Sequence, residues 1–155
     1  MKSVVCGLAL AAAALSPAVA HAQNAGLTAN FGEIRLNAGF TPDPYRVSIT
    51  AGGSIDAYTD TDLPGACVGK ISAAPDFEVT YSAGGLPLVF RTRSSTDTTL
   101  IINGPDGRWY CDDDSWGDGD AEVRFNPPQS GTYDVWVGTF GGGTAAANLL
   151  ITETP

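Results

Sequence analysis

The chain has 155 residues, a formal net charge of −9, three cysteines and a single histidine. Charge of that sign excludes nucleic acid and anionic lipid as natural partners, and favours cations or surfaces that present them. The length suits one core rather than two.

The N-terminus opens on Met1-Lys2, continues through an apolar run at residues 4–15, and reaches Ala20-His21-Ala22 ahead of Gln23. A basic start, a short apolar run and a small-x-small site describe a cleavable secretory signal peptide over residues 1–22, too short to span a bilayer. Cys6 lies inside the apolar run rather than after a lipobox at its end, which argues against a lipid anchor. Cleavage after Ala22 leaves residues 23–155 as a single exported domain, periplasmic or extracellular. No later apolar run is long enough for a membrane span. Cleavage also removes His21, so the mature chain has no Ser-His-Asp or Cys-His apparatus and no histidine metal ligand. With Lys2 gone, 7 basic side chains face 17 acidic ones, a formal charge of −10.

Along the mature chain the dominant period is two. Tyr45, Val47 and Ile49 alternate with Arg46, Ser48 and Thr50; Phe77, Val79 and Tyr81 alternate with Glu78, Thr80 and Ser82. Leu88 and Phe90 share a parity opposite to Arg91 and Arg93, and Val123 and Phe125 alternate with Glu122 and Arg124. Each pattern predicts a strand with one buried and one wet face. Residues 98–103 and 145–152 are apolar on both parities, as central or covered strands are. In residues 132–139, Tyr133, Val135 and Val137 form one face, with Tyr133 expected in the core and Trp136 under a neighbouring loop. Gly-, Pro- and Asp-rich turns separate these runs at the spacing of an all-β, antiparallel β-sandwich of eight or nine strands. A short echo, V-S-I-T-A-G-G at 47–53 and V-T-Y-S-A-G-G at 79–85, reads as two strand ends rather than a duplication.

Two cysteines, Cys67 and Cys111, survive cleavage. In an oxidising compartment an isolated pair forms a disulfide; the alternative is two separate buried thiols. The bridge would close a loop of about 44 residues, worth on the order of 3–4 kcal/mol in the chain-entropy model.

The chemistry concentrates immediately after Cys111, at Asp112, Asp113, Asp114, Asp118 and Asp120, with Gly117 and Gly119 between them. A hard cation such as Ca²⁺ needs six to eight oxygens from a flexible loop, and these carboxylates are its candidate ligands. The spacing is not that of an EF-hand, because ligand positions would fall on Trp116 and Val123. The other reading is a solvated acidic loop. A Cys67–Cys111 bridge would draw Asp56, Asp60 and Asp62 towards the same end. Trp109 and Trp116 flank the loop, either as an exposed aromatic platform for sugar or peptide or as packing over the disulfide.

The order D-T-T-L, P-D-G-x-W, C-D-D-D and S-G-x-Y-D-V-W-V-G resembles the bacterial pre-peptidase C-terminal domain family, in particular its small secreted proteobacterial members. F-T-P-D-P at 40–44, A-C-V-G at 66–69 and A-P-D-F at 74–77 fit the same pattern. The resemblance runs over residues 39–153. It implies a jelly-roll-like sandwich of the kind attached to secreted proteases, with related domains binding Ca²⁺ and collagen. No protease domain accompanies it here. The expectation is therefore a non-catalytic secreted or periplasmic binding module. Its partner would be a protein, glycan or cell-surface ligand, with calcium as the one candidate cofactor. The alternative is a small secreted hydrolase using paired carboxylates.

Overall fold

The computed structural model describes residues 22–155, so the expected signal peptide, apart from Ala22, lies outside it. Eleven strands follow in order: β1 (Glu33–Asn37), β2 (Tyr45–Gly52), β3 (Ile55–Asp56), β4 (Lys70–Ile71), β5 (Phe77–Ser82), β6 (Leu88–Ser94), β7 (Thr98–Asn103), β8 (Trp109–Asp112), β9 (Glu122–Phe125), β10 (Gly131–Thr139) and β11 (Thr144–Thr152). Among the described residues there is no helix, and none long and apolar enough to cross a membrane. The expected eight or nine strands agree in number with the nine longer elements, although β1 was not among the runs read from the sequence; the two-residue β3 and β4 are additional.

The strands form two sheets. One runs β1-β5-β10-β7-β8, with β4 and then β3 attached at the far end of β10; the other runs β2-β11-β6-β9. All pairings are antiparallel except β1 with β5, which is parallel. The architecture is therefore a β-sandwich with one parallel edge.

Residue parity decides the core. Phe77, Val79 and Tyr81 of β5, Tyr133, Val135 and Val137 of β10, and Leu100 and Ile102 of β7 point inward from the first sheet. Ile49, Ala147, Leu149, Ile151, Leu88, Phe90, Val123 and Phe125 meet them from the second. Aromatic rings lock the centre, with Phe125 and Tyr133 at 4.8 Å between centroids and Phe90 and Tyr133 at 5.6 Å. The buried Tyr133 hydroxyl donates to the Gln129 carbonyl and accepts from its N–H, as a buried phenol must.

The strands that are apolar on both parities have separate explanations. β11 is central in its sheet, paired over its length to β2 and β6. The outer side of β7 is covered: Ile101 and Trp136 join Ile55, Ala57, Ile71 and Cys67 in a second apolar cluster outside the first sheet. Trp136 is fully buried there, under the loop between β3 and β4, as its sequence predicts. The Val47 and Val79 segments of the sequence echo fall in different sheets.

Two buried carboxylates tie irregular segments to this frame. Glu153 accepts from the Tyr81 hydroxyl and from the Gly39 N–H, fixing the β1–β2 connection against the end of β11. Burial and Glu153 hold the Tyr81 phenol protonated far above its ordinary range. Asp76 accepts from the Val137 N–H at 2.7 Å, and from the Asn30 amide and Ser72 hydroxyl. It thereby fastens the segment before β1 to β10.

Candidate functional site

The disulfide between Cys67 and Cys111 is formed, with a Cα–Cα distance of 5.0 Å. It joins the β3–β4 loop to β8, the strand that delivers the acidic loop. The Asp56, Asp60 and Asp62 segment does arrive beside β8's sheet, but the Asp56 and Asp60 carboxylates act locally. Asp56 pairs with Lys70 at 3.1 Å and accepts from the Tyr58 and Thr59 N–H groups. These contacts hold the Asp56 carboxyl below its ordinary range, the Lys70 bond first. Asp60 accepts from the Asp56 N–H.

The five aspartates of the loop divide by what they touch. Asp112 accepts from Ser115 N–H at 2.9 Å and from Glu122 N–H at 2.8 Å, so one carboxylate fastens the start of the loop to its exit strand. Asp120 is 1% exposed, accepts from Ser94 N–H at 2.9 Å and lies 3.7 Å from Arg93. Both are structural acceptors for backbone donors that would otherwise be orphaned. Between them Trp116 N–H bonds to the Asp120 carbonyl and Asp120 N–H to the Gly117 carbonyl, a miniature hairpin. Its tip, Gly117-Asp118-Gly119, has three consecutive positive φ angles of 87°, 57° and 74°. Glycine on either side of an aspartate is the composition such a tip requires, since aspartate is among the few L-residues that tolerate this region.

Among the described residues the carboxylates of Asp113, Asp114 and Asp118 accept no backbone hydrogen bond, and a residue the sequence reading did not single out lies near the first two. Asp97, in the β6–β7 turn, is packed against Gly119. Its carboxyl is raised above the ordinary range by burial first, then by the charges of Asp114 and Asp113. The β7–β8 hairpin that ends at Cys111 is the pairing that brings residue 97 to residues 113–114, with Leu100 opposite Asp112; the hairpin is legible in the sequence, but the sequence reading stopped short of Asp97. Among the described residues no three His, Cys, Asp or Glu side chains converge into a group that could hold a metal ion. The loop is a rim of separated charges rather than a formed coordination shell.

The two tryptophans part company. Trp109 packs on Trp136 at 5.4 Å between centroids, within the cluster that contains the disulfide. Trp116 lies on the other sheet's outer face, where the Arg91 guanidinium sits 3.6 Å above its ring. Arg91 is itself paired to Glu122 at 2.6 Å. Trp116 remains 36% exposed, but the pair does not form one platform. Packing accounts for Trp109.

A second anionic feature lies on the outer face of the first sheet and includes Asp134, the aspartate of the S-G-x-Y-D-V-W-V-G motif. Strand register sets Glu33 beside Glu78, Glu78 beside Asp134, and Asp134 beside Asn103. Burial, and then the Glu78 charge, push the Asp134 carboxyl up to about 6. Asp76 is also pushed to about 6 by burial, against the three hydrogen bonds it accepts.

No family model matches the chain, and no curated protein matches it. Among solved structures it is similar to the Aeromonas hydrophila periplasmic inhibitor of g-type lysozyme, PliG. The identity is 14% over 78% of this chain and 96% of that one, with a TM-score of 0.36.

Proposed function

We propose that this protein is a non-catalytic binding module of the periplasm or cell exterior that engages cations through its acidic loop. The observation that carries this reading is the division of labour among the aspartates. Asp112 and Asp120 fix the loop backbone, while Asp97, Asp113, Asp114 and Asp118 are presented with no ion pair among the described residues. After burial, the charges of Asp114 and Asp113 raise the Asp97 carboxyl, and a cation would relieve that repulsion. The resemblance to the pre-peptidase C-terminal family points the same way.

Calcium is the simplest such cation. Because no coordination shell is preformed, the exposed carboxylates would have to close on the ion, as in the weaker extracellular modules with Kd of about 10⁻⁴–10⁻³ M. Calorimetric titration of the EDTA-treated protein with Ca²⁺ tests this. Saturable binding that disappears on joint Asp113→Asn and Asp114→Asn replacement supports the reading; binding unchanged in that variant contradicts it.

A second reading, hydrolysis by paired carboxylates, is favoured by one observation: Asp134, with its raised pKa of about 6, adjoins Glu78. The groove beside them is walled by Ala25, Leu27, Thr28 and Ala29, without an aromatic ring on which a sugar would stack. Turnover of chromogenic glycosides that is lost on Glu78→Gln would establish this second reading over the first.

A further inference from the structure

We propose that the free edge of β1 pairs with the same edge of a second copy of this chain, antiparallel across a twofold axis, to make one continuous sheet. Among the described strands β1 pairs with β5 alone. At its two ends the Gly32 carbonyl accepts from the Glu78 N–H, and the Ala38 N–H donates to the Ser82 carbonyl. Every second residue of a strand bonds to a given side, so residues 32, 34, 36 and 38 serve β5. Glu33, Arg35 and Asn37 turn their N–H and C=O groups the other way, and all three are exposed. An edge with its donors and acceptors so presented is a template for another strand.

Two features say which strand. Beside the edge runs a groove of about 460 Å³, lined in part by Ile34, Leu36, Phe40 and Tyr45. Ile34, Phe40 and Tyr45 pack against the core but are only partly buried. The sandwich therefore has an apolar seam here, where β1 and β2 each end a sheet. A strand added to β1 would cover it.

The second feature is charge. In an antiparallel pair, residues that exchange hydrogen bonds must both aim their backbone groups at the other strand, so the odd-numbered residues of β1 face one another. With the twofold axis at Ile34, Glu33 of each copy lies opposite Arg35 of the other, giving two opposite-charge pairs on the outer face. The two Ile34 side chains meet between them on the inner face, over the apolar seam. With the axis at Glu33 or at Arg35, like charges would stand directly opposite, which is destabilising. With the axis at Leu36, Arg35 would face Asn37 and gain no ion pair. The strand is thus complementary to itself in one register, and an isologous contact of this kind closes at two copies.

The contact is small, so the dimer is a weak one. The formal charge of −10 on each mature chain also opposes self-association, so the test belongs at about 0.15 M salt, where exposed charges are screened beyond about 8 Å. It is sedimentation velocity of the exported protein in EDTA, which removes any metal-bridged association, at about 10 μM to 1 mM. The parent should pass from monomer to dimer over that range. Glu33→Arg and Arg35→Glu should each weaken the dimer about tenfold or more, because each sets like charges opposite in both pairs. An equimolar mixture of the two variants should recover association at the parent's level, since one copy then carries two bases and the other two acids. A parent that stays monomeric throughout, a dimer indifferent to either single variant, or a mixture no better than its components would each overturn the proposal. Both substituted side chains are exposed, so neither change asks anything of the core.

Discussion

Two carboxylates, both with pKa values near 6, behave oppositely on replacement. Asp134 has no partner, so Asp134→Asn should stabilise the protein. The folded state holds this proton more tightly than the unfolded chain, whose aspartates titrate near 3.9. The group's contribution is therefore fully present below about pH 4 and is lost as pH rises through about 6. Urea unfolding at pH 4.5 and 7.5 should show the advantage of Asp134→Asn widening with pH; a gap that narrows would mean the carboxylate has a partner after all. Asp76 shares the pH window but not the outcome, since it anchors three donors. Truncation by Asp76→Ala leaves the buried Val137 N–H unsatisfied and should cost about 1–3 kcal/mol. A neutral result would show that the segment before β1 is not fastened through this residue.

At the scale of elements, the disulfide and the β3–β4 loop roof the outer side of β7 and β10. Replacing Cys67 and Cys111 together with alanine should lower stability by on the order of 3–4 kcal/mol through loop entropy alone. Trp109 and Trp136 fluorescence should respond in the folded state, because both rings pack in the bridged cluster. An unchanged unfolding midpoint would remove the bridge from the stability account.

This is also the scale at which the sequence was most and least legible. Alternation at residues 45–50, 77–82 and 123–125 marked the buried faces, because parity is a local property of a strand. The double apolarity of residues 98–103 revealed a covered strand, and Cys67 with Cys111 supplied part of the cover. Register is not local. Nothing in the neighbourhood of Glu33, Glu78 or Asp134 says that the three are side by side, whereas Asp97 meets Asp113 and Asp114 through the local β7–β8 hairpin. The parallel edge strand β1 went unread although Ile34 and Leu36 alternate with Glu33 and Arg35. The five loop aspartates were legible as a concentration of charge. Their separation into backbone acceptors and exposed charges depended on hydrogen bonds that spacing does not encode.

Among the described residues cations stand on both sheets: Arg35 shares the outward parity of Glu33 on β1, and Lys70 of β4 pairs with Asp56. Arg91, Arg93 and Arg124 project from the outer side of the second sheet, opposite in parity to the inward Phe90, Val123 and Phe125, and are tied to Glu122 and Asp120. In the acidic loop Asp97, Asp113, Asp114 and Asp118 have no ion pair among the described residues. Under the proposed function the acidic loop is the surface offered to cations. The central claim is that the rim binds cations because Asp112 and Asp120 hold it open. The most direct measurement is the melting temperature of the metal-free protein with and without millimolar Ca²⁺, in the parent and in the joint Asp113→Asn, Asp114→Asn variant. A ligand bound only by the folded state with Kd of about 10⁻⁴–10⁻³ M stabilises it at 1 mM by about 0.4–1.4 kcal/mol, on the order of one to five degrees for a domain of this size. The account predicts that rise in the parent, its loss in the variant, and a slightly higher metal-free melting temperature for the variant as repulsion is relieved. A melting temperature indifferent to Ca²⁺ in both proteins would contradict it.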